Sequence, residues 1–225
     1  MEKKLTTEQI DYVFDYVASH DIKWYELQVE LTDHMVTSME EFWEKDPELT
    51  FHQVKQYAEN IFVGDSSFKS IEKQRKRILQ KEYRKVQWKM ITDYLKFPKI
   101  FGSILLVYLA YTFSAYFVSP QKYLAVLFCS LAIVGLRYVD YWRKSKEIEG
   151  KYFLTLETLN PTLLVFSFPS LGMSITTQLK EELLQHQWLV LFFCCIWVLG
   201  MLFSITAIHL QKKTIENVKK QYQLT

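Results

Sequence analysis

The chain has 225 residues, 27 Lys/Arg against 25 Asp/Glu, 16% aromatic residues and only 6 Gly and 5 Pro. That composition excludes disorder, a collagen-like chain and a disulfide scaffold, and it suits a packed, mainly helical protein. The net charge of +2 and mean hydropathy of −0.04 average over three unlike blocks: residues 1–65 hold 5 Lys/Arg against 15 Asp/Glu, residues 66–99 hold 11 against 3, and residues 100–225 hold 11 against 7. Almost all long apolar runs lie in the last block, so a fully soluble protein is excluded.

The start Met1-Glu2-Lys3-Lys4 leads into an acidic amphipathic stretch with no apolar h-region, so no secretory signal peptide is expected. Thr6 with Gln9 three residues on has capping-box spacing, and Ile10, Val13, Phe14 and Val17 recur at helical intervals, predicting a first helix closed by Ser19-His20-Asp21. A second helix is expected from about Lys23 to Lys45. Trp24, Leu27, Leu31, Met35, Met39 and Phe42 fall on one side of it, and Tyr25, Val29, Val36 and Trp43 form another apolar strip. Between the strips runs an acidic ridge of Glu26, Glu30, Asp33, Glu40, Glu41 and Glu44 with His34 at its edge, so the helix should be packed on two sides.

Thr50 opens a third helix ending near Gly64, which suits a C′ position, and Asp65 or Ser66 can cap a fourth that continues to about Phe97. The fourth helix carries the basic residues Lys69, Lys73, Arg75, Lys76, Arg77, Lys81, Arg84, Lys85 and Lys89, and a short heptad-like seam through Leu79, Tyr83, Val86, Met90, Tyr94 and Phe97. Directly before an apolar span, such a helix suits anionic lipid headgroups, with Arg75, Lys76, Arg77, Arg84 and Lys85 as lipid-binding candidates. The acidic headpiece is the alternative acceptor. The run Lys73 to Arg77 lacks the interleaved aromatics of a nucleic-acid surface, so nucleic acid is not an expected partner.

Ile100 to Gln121 is uncharged over 22 residues, enough to cross a hydrocarbon core of roughly 30 Å. Four spans are expected, at about 100–118, 123–142, 160–179 and 188–208, followed by a basic tail over 211–225. Arg137 and Asp140 stand at (i, i+3) in the second span, close enough to pair, beside Tyr138, Tyr141 and Trp142. Snorkelling at a helix end is the plain reading of these charges, and a polar intramembrane site the alternative. Asn160-Pro161 has the form of an N-cap with Pro at the first helical position, which would leave Glu157 at the interface. A helix starting near Tyr152 would instead carry Glu157 into the bilayer, where a carboxylate is a functional candidate.

Arg143, Lys144, Lys146 and Lys151 follow the second span and Lys212, Lys213, Lys219 and Lys220 the fourth, so the positive-inside rule puts both termini in the cytoplasm. The fold class expected is all-α: a cytosolic helical bundle (1–65) joined by a long basic helix (66–99) to a four-helix transmembrane bundle (100–210) of a bacterial inner membrane.

All three cysteines, Cys129, Cys194 and Cys195, sit in apolar runs, where a thiol acts as a small hydrophobe, against a disulfide, a zinc site or a thiol nucleophile. Glu26, Glu30, Asp33 and His34 share a helical face at spacings like those of helix-borne metal ligands. With only His52 and Glu59 as conceivable partners from the third helix, the plainer reading is a solvated acidic face. No P-loop, dinucleotide turn, Gly-x-Ser-x-Gly or His-Glu-x-x-His is present, so no cofactor is expected and the chain reads as a non-enzyme.

Gln9-Ile10 in the first helix, Glu26-Leu27-Gln28-Val29-Glu30-Leu31-Thr32-Asp33-His34 in the second, and Gly64 in the third precede a four-span half. This arrangement resembles that of uncharacterised bacterial integral membrane proteins. Over residues 5–70 it is also distantly similar to HAAS-type helical signalling domains. The resemblance implies a signalling or adaptor role; separately, the acidic, aromatic-rich headpiece and the absence of catalytic motifs make the ridge Glu26, Glu30, Asp33, His34 and Glu41 a candidate surface for a cytosolic protein partner. A small transporter using the Pro-interrupted third span is the alternative, and a homo-oligomer is compatible with either.

Overall fold

The computed structural model describes residues 4–65, 68–159 and 162–224. The proposed caps Ser66, Asn160 and Pro161 fall outside them. The chain is 82% helical, and it divides into two compact units. One, called the headpiece here, takes the chain up to Gln80 together with Glu147–Thr158; the other, the apolar unit, takes Lys81–Lys146 and the chain from Leu159 onward. The boundary therefore cuts the basic helix rather than preceding it, and a segment far along the chain belongs with the amino-terminal helices.

In the headpiece, α1 (Thr7–Ala18) opens with the full capping box of Thr6 and Gln9, and α2 (Tyr25–Lys45) packs against both α1 and α3 (Phe51–Asp65). Leu27, Leu31, Met35, Met39 and Trp43 of α2 are buried with Val13, Val17, Val54 and Ala58. The apolar strips of α2 thus do what their spacing requires. Trp43 Nε1 also donates to the Leu49 carbonyl at 2.9 Å, fixing the loop into α3. Lys55 pairs with Glu59 and lies 3.7 Å from the Tyr16 ring centroid, tying α3 to α1. Burial, reinforced by the hydrogen bond and charge of Glu59, pushes the Tyr16 phenol up to about 12. The first part of α4 (Phe68–Tyr94) adds Ile71 and Leu79 to the same core.

The remaining piece is a hairpin, β1 (Glu147–Ile148) and β2 (Lys151–Tyr152), followed by the four-residue α7 (Leu154–Glu157). Glu149 at φ 52° and Gly150 at φ 75° form its two-residue turn. Two positive φ angles match the twist of a tight hairpin, and glycine takes the second without a Cβ penalty.

The apolar unit contains α5 (Ile100–Phe113), extended by a tighter turn Ser114–Tyr116, α6 (Pro120–Ser145), α8 (Thr162–Gln178), α9 (Lys180–Gln185) and α10 (Gln187–Gln221). Its core joins Ala110, Leu124, Phe128, Leu131, Phe193, Cys194, Trp197 and Val198. Tyr123 donates its hydroxyl to the Ala110 carbonyl, and Trp197 Nε1 donates to Ser130 Oγ at 3.2 Å. Among the described residues two helices, α6 and α10, are long and apolar enough to cross a membrane, and Ile100–Tyr116 is a shorter apolar helix.

Three boundaries differ from expectation. The fourth helix stops at Tyr94 instead of running on, and α5 begins anew at Ile100. Helix α6 starts at Pro120, with proline at the position whose missing N–H is harmless, and reaches Ser145. The expected separate tail is the continuation of α10, whose Leu210, Gln211, Thr214, Ile215 and Val218 are buried at helical spacing. The expected seam on α4 also shifts: Ile91 is buried and Val86 exposed, because the packed face follows the 3.6-residue period rather than the heptad.

Helix α8 approaches α6 closely at Gly172. A Cβ there would stand 2.5 Å from two Phe128 ring atoms and 2.7 Å from Phe128 Cγ, which cannot swing aside. At Gly200 of α10 a Cβ would meet the mobile Leu131 Cδ1 methyl at 2.9 Å. Gly172→Ala is therefore expected to destabilise the protein by about 1–3 kcal/mol and Gly200→Ala by clearly less. Thermal unfolding of both variants in detergent measures the difference, and equal losses would contradict this packing.

Candidate functional site

The acidic ridge of α2 is not one surface. Glu26 is half-buried and turned inward. Its Oε1 accepts both the backbone N–H of Thr155 at 2.6 Å and the Thr155 hydroxyl at 2.9 Å. Helix α7 has no side-chain cap of its own at Phe153, and Glu26 supplies one from α2, satisfying a first-turn N–H that would otherwise lack a partner.

The same segment is held on both sides of this cap. Trp24 and Tyr152 form a parallel bridge, and Leu154 lies wholly in the headpiece core. Lys151 Nζ is 4.0 Å from the Tyr25 ring centroid and Lys23 Nζ is 4.7 Å from that of Tyr152, cation–π distances for both. Tyr25 in turn meets Phe153 edge-on at 5.9 Å. Burial raises the Glu26 carboxyl above the usual carboxylate range. The Thr155 hydrogen bonds and the charge of Arg75 oppose that shift without cancelling it, and Glu30 adds to it.

The other ridge residues divide by exposure. Glu30 faces Arg75 Nη2 at 3.5 Å in a largely exposed pair, worth at most about 1 kcal/mol. Glu40 accepts the Leu5 backbone N–H at 3.1 Å. Asp33, His34, Glu41 and Glu44 are exposed. Among the described residues no three His, Cys, Asp or Glu side chains come together as a metal-binding group, and His34 points outward instead of edging the core.

The basic helix is divided as well. Arg75 meets Glu30, Lys76 is half-buried and Arg77 exposed, all in the headpiece; Arg84 and Lys85 are exposed in the apolar unit. Asp140 pairs with Lys144 at 3.0 Å, one turn on, rather than with Arg137, which is exposed. Glu157 is half-buried at the end of α7, within the headpiece, and α8 is a separate helix starting at Thr162.

The sequence pattern marks 143–159 as a basic connection or the start of a third span and gives no sign that Lys151, Tyr152, Leu154 and Thr155 belong with the amino-terminal helices. Gly150, able to take a positive φ at the second turn position, between Ile148 and the β-favouring Tyr152-Phe153 was the available signal for the hairpin, and Glu149, which is not a preferred turn residue, weakened it. No protein-family model matches the chain, and neither the curated proteins nor the solved structures include one significantly similar to it.

Proposed function

We propose that the chain is a multi-pass helical membrane protein with both termini on the cytosolic side, acting as a signalling or adaptor protein through its headpiece. The observation that carries this reading is the composition of the headpiece itself. It is built from the amino-terminal helices and from the very segment that connects α6 to α8. The chain therefore leaves the headpiece after Gln80, returns at Glu147 and leaves again after Thr158.

A folded unit lies on one side of a bilayer, so an even number of crossings must separate residue 80 from residue 147. Helices α5 and α6 supply two, and α8 and α10 supply the other pair. The outward-facing Phe101, Ile104, Leu105, Val126, Ile133 and Leu191 give the apolar unit the lipid-compatible exterior this requires. Helix α10, at 35 residues, spans about 52 Å at 1.5 Å per residue, so its basic end, with Lys212, Lys213, Lys219 and Lys220, extends past a hydrocarbon core of about 30 Å.

The exposed acidic face of α2, with Asp33, His34 and Glu41, is the partner surface in this reading. The docked segment 147–158 gives that surface a covalent tie to two apolar helices. The resemblance of residues 5–70 to HAAS-type domains points to the same role.

Topology is tested with single cysteines in a chain whose three native cysteines are replaced by Ala. Glu41→Cys and Glu149→Cys should react with an impermeant maleimide from the same side, and Val118→Cys from the other. Labelling of Glu41→Cys and Glu149→Cys from opposite sides would overturn the reading. A photo-crosslinker at Glu41 should capture one specific protein in intact cells; empty lanes across growth conditions would remove the partner-binding limb.

A further inference from the structure

We infer that the second half of α4 is a binding surface for anionic phospholipid headgroups, formed by Lys81, Arg84, Lys85 and Lys89 around Trp88. This rests on the membrane reading above and gives it a lipid chemistry. At 3.6 residues per turn these five residues share one face, Tyr83, Gln87, Met90 and Tyr94 share the opposite one, and Ile91 stands at the border beside Arg84. The structure assigns the two faces different environments. Ile91 is buried, Tyr83, Met90 and Tyr94 are half-buried, and Gln87 Nε2 donates to the Phe203 carbonyl at 3.2 Å. The four basic side chains are exposed. Glu82 borders this face beside Lys89, and Asp93 on the flank is matched by Lys96 at 3.1 Å, so four cations stand against one neighbouring carboxylate and the face is strongly basic.

The level of this face singles out a lipid. The Trp88 ring meets Phe203 edge-on at 5.2 Å and stays 54% exposed. Phe203 lies five residues before the end of the uncharged run Trp188 to Ile208, or about 8 Å along the helix. Trp88 is thus held near the edge of the apolar band, on the side where α10 becomes basic at Lys212 and Lys213. Tryptophan favours that depth, and cations beside it meet the headgroups of an anionic leaflet. Exposed Leu199 and Ile205 belong to the same apolar unit. The first half of α4 is excluded, because Arg75 is engaged by Glu30 and the segment belongs to the headpiece.

The test uses the full chain reconstituted in phosphatidylcholine containing increasing dibrominated phosphatidylglycerol or dibrominated phosphatidylcholine. Quenching due to Trp88 is the difference between wild type and Trp88→Phe. Brominated phosphatidylglycerol should quench Trp88 at much lower mole fraction than brominated phosphatidylcholine. Arg84→Gln with Lys85→Gln should reduce that preference by about an order of magnitude, whereas Arg84→Lys with Lys85→Arg should retain it. Lys73→Gln with Arg77→Gln, which removes as much charge from the headpiece, should leave it unchanged.

Equal quenching of Trp88 by the two lipids, or an equal loss in the Lys73 and Arg77 variant, would overturn the inference. So would Trp88 untouched by either lipid, the result expected if an acidic protein segment covers this face. Failure of the membrane reading looks different: no tryptophan of the protein, including those of α10, would be quenched by brominated phosphatidylcholine.

Discussion

Leu154→Ala should destabilise the headpiece by about 2–5 kcal/mol, the range for emptying a filled core position, although Leu154 lies 74 residues beyond Gln80, where the amino-terminal part of that unit ends. Its side chain has no exposed surface and is packed among the residues of α1, α2 and α3. A domain of this size has a total stability of about 5–15 kcal/mol, so the loss is a large share of it. Hydrogen exchange of the α2 amides in the detergent-solubilised chain is the direct measurement, because it reports opening of this unit alone. Faster exchange in α1, α2 and α3, with the core of α6 and α10 unaffected, is the expected pattern. If only the amides of 147–158 exchanged faster, Leu154 would be a peripheral contact and the segment a passenger.

That residue also marks where the sequence was legible and where it was not. The capping box at Thr6, the apolar positions of α2 and the long apolar helices are written in local patterns of the chain, and such patterns act locally. The role of Glu26 is written nowhere near Glu26. On a helical wheel it is one carboxylate in a row of six, and nothing on α2 distinguishes it from Asp33 or Glu41, which are exposed. Only the return of Thr155 across 129 positions makes it a cap. The same holds for the basic helix, whose charge run is continuous in sequence while its two halves belong to different units. Asp140 illustrates the smaller kind of miss. Both Arg137 and Lys144 are one turn away, and the carboxylate takes Lys144, toward the polar end of α6, where both groups keep water around them.

Replacing Glu26 should separate its two roles. Glu26→Ala removes the acceptor of the Thr155 N–H and hydroxyl, and leaving a partly buried donor unpaired costs about 1–3 kcal/mol. Glu26→Gln keeps an acceptor oxygen in place and removes the charge, so it should be far milder. The pH dependence follows from burial. The folded carboxyl lies above the usual carboxylate range, so the protonated form is the one favoured by folding. The stability it contributes is fully present below the ordinary carboxylate value and is lost as pH rises through the raised one. Wild type and Glu26→Gln should therefore unfold alike below the ordinary carboxylate value, and wild type should lose ground to the variant as the pH rises from there through the raised one. Denaturant titrations read at Trp24 and Trp43 across the range would show it. The opposite trend, with wild type gaining on Glu26→Gln as pH rises, would mean that Thr155 and Arg75 hold the carboxylate ionised. Thr155→Val, which retains the backbone N–H but not the hydroxyl, should shift the wild-type transition further upward in pH, since it removes one of the two hydrogen bonds that favour the charged form.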